Sequence, residues 1–143
     1  MAVHDELETA PRARALSRSE RLAAILRRDG FECVWCRRPL IGPVGPPRRR
    51  AGLQATTDHL IPKLKGGPSW IENEVAACAR CNRSRGHRSP AVWLEDCERL
   101  GLTPNRDAIA RCLAALDSAI EATGGQRRAR PYLAAQLRRL ARP

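Results

Sequence analysis

The sequence predicts a small α+β fold in which a short strand-bearing core is flanked by helices on both sides. Two Cys-x-x-Cys pairs, at 33–36 and 78–81, enclose the region with strand character. Apolar residues outside that region recur at helical spacing. The length of 143 residues suits a compact core with modest helical additions, and the aromatic residues are three Trp, one Tyr and one Phe. A small core this poor in aromatic side chains is expected to need a bound metal ion for stability.

Local signals give the order of the elements. Residues 1–16 lack periodicity and are expected to form a loose arm. Ser17 and Glu20 make a capping-box pattern that opens a helix, and Gly30 is expected to end it. Residues 37–52 are rich in Pro, Gly and Arg and predict a basic loop, whereas 53–60 and about 74–77 predict short strands.

A helix is expected from about 79 to 86, stopped by Pro90, and apolar spacing predicts three more helices before the C-terminus. The chain is therefore divided into an arm at 1–16, a core domain at 17–90 and a helical extension at 91–143 packed on the core.

Positive charge is concentrated in the middle of the chain. The formal net charge is +11, and residues 33–90 carry 11 basic and three acidic side chains. We expect a partner with a high density of negative charge to bind this region. The alternative is that these basic side chains only form a solvated surface. The N-terminus has no basic start followed by an apolar run, and no stretch approaches the roughly 20 apolar residues of a membrane span. We therefore expect a cytoplasmic protein without a membrane partner, in which thiols stay reduced.

The two cysteine pairs predict a structural zinc site. Cysteines separated by two residues aim both sulfur atoms the same way, and two such pairs complete a closed tetrahedral Zn²⁺ site. The proposed ligands are Cys33, Cys36, Cys78 and Cys81. Buried cysteines or a redox pair are the alternatives. Cys97 and Cys112 stand alone in helical apolar patterns and are interpreted as core residues.

A second set of residues lies between and beside the cysteine pairs. It consists of Asp58-His59 followed by Leu-Ile-Pro, a later Asn73, and Asn82 directly after the last cysteine. Over about residues 20–90 this arrangement resembles the HNH endonuclease family, whose fold is a β-hairpin and a helix that grip a metal ion. The resemblance thus refines the fold to a small ββα-metal core with a Cys₄ zinc site.

The resemblance also implies a role for each residue. His59 would be the general base, and Asp58 and Asn82 would be ligands of one Mg²⁺ or Mn²⁺ ion. Asn73 would orient the His59 ring through a hydrogen bond. The family's third position is a His in its name but an Asn in similar relatives, and an amide oxygen favours Mg²⁺ or Mn²⁺ over softer metals. Each residue taken singly also fits a structural role.

Basic residues near this set are candidates for contacts with nucleic-acid phosphates. They are Lys63, Lys65, Arg80, Arg83 and Arg85, with Arg48, Arg49 and Arg50 in the preceding loop. Arg127, Arg128, Arg138 and Arg139 of the extension are further candidates. Solvated surface charge is the alternative for any single one of them.

Three functions remain open on these grounds. The first is a metal-dependent endonuclease that nicks or cuts DNA, with DNA expected in preference to RNA. The second is a non-catalytic zinc module that binds nucleic acid or a protein. The third is an RNase or a toxin. Because no separate recognition module is visible in the sequence, specificity would be low or supplied by a protein partner.

Overall fold

The structure is a computed structural model that describes residues 16–42 and 52–142. The expected N-terminal arm, apart from its last residue, lies outside the described residues. So do the three arginines at 48–50 of the basic loop. The boundaries of the core domain and of the helical extension stay predictions.

The described chain contains five α-helices, two strands and one short 3₁₀ turn. Their bounds are α1 Arg18–Arg28, β1 Ala55–His59, the 3₁₀ turn Lys63–Lys65, β2 Glu74–Cys78, α2 Ala79–Arg85, α3 Pro90–Arg99, α4 Arg106–Thr123 and α5 Ala129–Leu140. The mixed helix and strand composition confirms the α+β prediction. None of the helices in the described part of the chain is long and apolar enough to cross a bilayer.

Capping side chains explain where several helices begin. Ser17 and Glu20 form the predicted capping box at the start of α1. Ser89 caps α3 by accepting the Val92 N–H, and Pro90 is the first residue of that helix. The expectation that Pro90 stops the preceding helix is therefore wrong, since α2 ends at Arg85 and proline at a first helical position loses no hydrogen bond.

The two strands form an antiparallel hairpin that organises the site. Ala55 pairs with Cys78 and His59 pairs with Glu74, so the strands are matched along their whole length. Because side chains alternate across a strand, residues 55, 57 and 59 share one face with residues 74 and 76. Residues 56, 58, 75 and 77 share the other face. The two faces meet different helices.

Helix α1 covers the first face of the hairpin. Ile25 and Leu26 of α1 pack with Ala55 and Ala76 in a small buried cluster. The second face belongs to the main core, which contains Val75 together with the side chains that α3, α4 and α5 bury. Buried members of that core include Trp35, Trp93, Leu94, Ile109, Leu113, Leu116 and Leu133. The hairpin is thus sandwiched, and its loop end and strand termini are the parts left to form a site.

Candidate functional site

Four cysteine thiols converge at one place between the hairpin and the chain before it. The sulfur atoms of Cys33, Cys36, Cys78 and Cys81 all lie within 4.8 Å of one another. The Cys36 and Cys78 sulfurs are 3.9 Å apart. A tetrahedral ion with Zn–S bonds of about 2.3 Å places its sulfurs about 3.8 Å apart, so the four thiols can hold a metal such as zinc.

Cys78 links the metal-binding group to the secondary structure. It is the last residue of β2 and the N-cap of α2, where its sulfur accepts the Cys81 N–H at 3.4 Å. Hydrogen bonds from the thiols of Cys33 and Cys81 lower the pKa of Cys78, which favours the thiolate form that a metal binds. A metal at this position would hold the start of α2 against the end of β2.

Cys97 and Cys112 lie apart from this group, as their isolation in the sequence suggested. Cys97 is fully buried, and burial raises the pKa of its thiol to about 11. Cys112 is 7% exposed, and burial raises the pKa of its thiol as well. Both are members of the main core, in keeping with their interpretation as packing residues.

Asp58 faces α2 and the main core. Its carboxylate is 4% exposed and accepts a hydrogen bond from Trp35 Nε1 to Oδ2 at 2.9 Å. The other oxygen, Oδ1, lies 3.0 Å from the Arg85 guanidinium. Burial raises the pKa of Asp58, while the charge of Arg85 acts in the opposite direction. The carboxylate is therefore held in one orientation by two buried donors.

The structure contradicts the expected phosphate contact of Arg85. Its side chain is fully buried, so it cannot touch nucleic acid in this conformation. The guanidinium donates to three main-chain oxygens, those of His59 at 2.7 Å, Leu60 at 2.6 Å and Arg88 at 3.0 Å. Sequence reasoning counted it with the basic surface because charge alone does not reveal which side of α2 a residue occupies. Arg85 instead ties α2 to the end of β1.

Asn82 lies one helical turn before Arg85 and meets the same strand. Its amide nitrogen donates to Thr56 Oγ1 at 3.0 Å and to the Thr57 carbonyl at 3.2 Å. Because the nitrogen is used in this way, the amide oxygen remains as the ligand atom that Asn82 can offer. Asn82 and Asp58 thus both belong to the contact between β1 and α2.

The contact contains side-chain oxygens of the types that bind hard divalent cations. They are one carboxylate and one amide oxygen, the ligand types that Mg²⁺ and Mn²⁺ take. Each Asp58 oxygen accepts one bond from a protein donor, and an ionised carboxylate offers about four lone-pair positions. Asp58 therefore keeps capacity for an ion beside Trp35 and Arg85.

His59 occupies the last position of β1, on the face opposite Asp58. Its Nε2 atom lies 3.1 Å from Ser69 Oγ. Burial is the main cause of a lowered pKa, and the nearby charges of Lys63 and Arg21 act in the same direction. Glu74, the cross-strand partner of His59, raises the pKa and partly offsets these effects. Burial of the ring therefore favours its neutral form.

The expected hydrogen bond from Asn73 to the His59 ring is absent, and Ser69 takes that place. Asn73 is fully buried, and its side chain binds main-chain atoms of the loop. Its Oδ1 accepts the Ile61 N–H at 2.8 Å, and its Nδ2 donates to the carbonyls of Ile61 and Pro68 at 3.0 and 2.9 Å. Asn73 thus shapes the segment that follows His59 instead of touching the ring.

Four of the five basic residues expected near the site are exposed. Lys63 and Lys65 lie in the 3₁₀ turn, and Arg80 and Arg83 lie on α2. Arg127 and Arg128, which precede α5, and Arg138 and Arg139 within α5 are exposed as well. These positions are available for contacts with a polyanion.

Sequence reasoning missed a small network next to His59. Glu74 is 2% exposed and accepts bonds from Thr57 Oγ1 at 3.0 Å and Arg21 Nε at 2.9 Å. It also missed Trp35 as the partner of Asp58 and Ser69 as the partner of His59. The available signals were a charged residue inside a buried strand and a tryptophan inside the first cysteine pair.

A family model matches the part of the chain that contains the four cysteines and the candidate site residues. Residues 33–88 match the family model described as HNH endonuclease. The match confirms, over these residues, the resemblance drawn from the sequence, and it supports a nuclease function in general.

A relative gives the same indication. Over 87 residues the chain is 26% identical to the "CRISPR-associated endonuclease Cas9" of Corynebacterium diphtheriae. The match covers 60% of this chain but 7% of that protein, so the chain spans a small part of its relative's length.

Proposed function

We propose that this protein is a metal-dependent endonuclease that hydrolyses phosphodiester bonds in DNA, with His59 as general base. The observation that carries the proposal is the end of β1, where Asp58 and His59 occupy adjacent positions on opposite faces of the strand and Asn82 and Arg85 of α2 bind the same strand. The HNH match and the Cas9 relative support a nucleic-acid substrate, and the exposed basic residues supply the complementary charge.

The role of His59 follows from its surroundings. A neutral imidazole can take a proton from an attacking water, a contribution of about 10²–10⁴-fold. With Nε2 donating to Ser69 Oγ, the lone pair lies on Nδ1, which then accepts the proton. Ser69 holds the ring in one orientation, and its hydroxyl can bind either tautomer.

Asp58 and Asn82 are proposed to hold one Mg²⁺ or Mn²⁺ ion. Such an ion supplies Lewis-acid stabilisation of the charge that develops on the phosphate and the leaving oxygen. Trp35 and Arg85 orient the Asp58 carboxylate, and Thr56 orients the Asn82 amide. For the four-cysteine site we propose a structural zinc ion.

A plasmid assay tests the catalytic proposal. Purified protein is incubated with supercoiled plasmid in Mg²⁺ or Mn²⁺, beside His59→Ala and the control His87→Ala, which changes an exposed histidine just beyond α2. We expect nicked or linear product from the unchanged chain and from His87→Ala. We expect at least about 100-fold less from His59→Ala, with plasmid binding retained. The ends should carry 5′-phosphate and 3′-hydroxyl groups.

The non-catalytic alternative is favoured by one observation, the burial of Asp58 with both oxygens engaged by protein donors. It predicts salt-sensitive DNA binding without cleavage at any concentration of either metal. Equal cleavage by His59→Ala and the unchanged chain would instead show that His59 is not the general base.

A further inference from the structure

An exposed leucine lies beside the proposed nuclease site. Leu64, the middle residue of the 3₁₀ turn, is 60% exposed, and the two lysines that flank it are exposed as well. The turn begins four residues after His59. Within the described residues, the other exposed large apolar side chains are Leu16 at 36%, Phe31 at 54% and Leu100 at 65%.

The turn that carries Leu64 is held firmly. Gly66 and Gly67 donate backbone hydrogen bonds back to Lys63 and Pro62 at 2.9 and 3.0 Å. A Cβ atom on Gly67 would lie 1.8 Å from the Ile61 carbonyl oxygen. The backbone at Gly67 therefore packs too closely against the backbone at Ile61 to leave room for a side chain. Leu64 is therefore presented to solvent by a rigid support.

The C-terminal helices reinforce this support. Arg128, which precedes α5, donates to the Leu64 carbonyl at 2.5 Å. A Cβ atom on Gly66 would lie 2.7 Å from Arg128 Cβ, so the turn and the start of α5 are in close contact. The residues that buttress the turn from this side lie outside the segment matched by the family model.

The surroundings of Leu64 are positively charged. Lys63 is close enough to His59 for its charge to lower the pKa of the ring. Arg127, Arg128 and Arg130 are exposed where α5 meets the turn. An apolar tip within a basic surface complements a duplex, in which an apolar base stack lies between two rows of phosphates. It fits an apolar pocket on a protein less well, because that pocket would need an acidic rim.

We propose that Leu64 enters the minor groove of duplex DNA and parts a base step, while Lys63 and Lys65 bind phosphates on either side. This inference rests on the proposed function, because it assumes that DNA is the substrate. Apolar wedges of this kind unstack a base step and bend the duplex, which allows more protein surface to contact the DNA. The wedge would bring the strand to be cut towards His59.

Base unstacking can be measured without cleavage. The test uses the full chain carrying His59→Ala and a series of duplexes with 2-aminopurine at successive positions, whose fluorescence rises when the base is unstacked. We expect a rise of several-fold at one or two neighbouring positions. Leu64→Ala should abolish that rise and leave DNA affinity within about threefold. Leu64→Met should retain the rise.

Matched variants separate the wedge from general effects. Leu100→Ala removes another exposed leucine, at the end of α3, and should leave the fluorescence rise unchanged. Lys63→Ala and Lys65→Ala should each weaken binding and lower the slope of log affinity against log salt by about 0.9. The thermal midpoint of Leu64→Ala should match that of its parent, because the side chain is exposed.

The outcomes distinguish the inference from the proposed function. DNA binding with no fluorescence rise, or a rise that survives Leu64→Ala, overturns the wedge and leaves the nuclease proposal standing. If the unchanged chain does not bind duplex DNA at all, the DNA endonuclease and the wedge are both overturned.

Discussion

At the scale of single residues, the most consequential contact is the ion pair between Asp58 and Arg85. A fully buried guanidinium is costly unless its nitrogens find acceptors. In Arg85 all three nitrogens do so, with one carboxylate and three main-chain carbonyls as acceptors. The same contacts place the last residues of β1 against α2. Asp58 therefore has a structural role, as the partner of Arg85, in addition to its proposed role as a metal ligand.

Removing the carboxylate should therefore destabilise the protein as well as affect catalysis. We expect Asp58→Ala to lower the free energy of unfolding by about 3–5 kcal/mol, because the Arg85 charge is left buried without its partner. Asp58→Asn keeps one acceptor oxygen, for either Trp35 or Arg85, and should cost less than Asp58→Ala. Urea denaturation measures both effects, with Asp117→Ala, an exposed acid on α4, as the control. Unchanged stability in Asp58→Ala would contradict the structural role of the pair.

The lowered pKa of His59 predicts the pH dependence of cleavage. The base form is the neutral ring, so the rate should be lost as the pH falls through the pKa of His59. Because burial lowers that pKa from 6.5, the acidic limb of the profile should lie below pH 6.5 at saturating metal. A limb centred above pH 6.5 would show that the ring is not desolvated as the structure indicates. Nicking rates measured between about pH 5 and 8 decide between these outcomes.

At the scale of elements, the hairpin and α2 are joined by a residue that belongs to both. Cys78 ends β2, caps α2 and contributes one of the four convergent sulfurs. A helix of seven residues is too short to be stable alone, so its position depends on its two ends. The four cysteines that could hold a metal ion lie at the first end, and Arg85 holds the second.

Metal removal should consequently release α2. We expect about one zinc ion per purified chain and a lower thermal midpoint after treatment with a strong chelator, since a structural zinc contributes roughly 10–16 kcal/mol in small zinc-dependent folds. Cys78→Ser should reduce the zinc content, whereas Cys112→Ala, which changes a thiol outside the group, should keep it. Elemental analysis and thermal melts provide the measurements. Full zinc content in Cys78→Ser would refute the four-cysteine assignment.

At the scale of the whole molecule, one hydrophobic core joins the HNH segment to the C-terminal helices. Trp35, from the first cysteine pair, packs edge-on against Trp93 of α3 with ring centroids 6.4 Å apart. Leu113 and Leu116 of α4 and Leu133 of α5 belong to the same core. The helices therefore complete the interior of the segment that the family model matches.

A mutation in the C-terminal helices, far from the site, should accordingly destabilise the segment that the family model matches. Leu116 is fully buried, and we expect Leu116→Ala to lower the free energy of unfolding by about 2–5 kcal/mol. Leu100→Ala, at a position 65% exposed, should change it by less than about 0.5 kcal/mol. If the core is continuous, the near-ultraviolet signal of Trp35 and Trp93 should be lost in one transition with the helical signal. Two separate transitions would mean that the helices fold independently.

Local patterns in the sequence were sufficient to predict the elements. The capping box at Ser17, the β-branched residues before Asp58 and the apolar spacing of α3 to α5 depend on neighbours within a few positions. The paired cysteines and the Asp-His, Asn and Asn order were sufficient to identify the family. Such signals are readable because helix capping, strand alternation and the geometry of a cysteine knuckle are short-range.

Only the tertiary structure decided what each side chain contacts. It buried Arg85 against Asp58, turned Asn73 towards the Ile61 main chain, and gave the His59 ring Ser69 as its partner. It also left Leu64 exposed on a rigid turn. These outcomes depend on which face of the hairpin or helix packs against another element, and residues distant in the chain determine that packing.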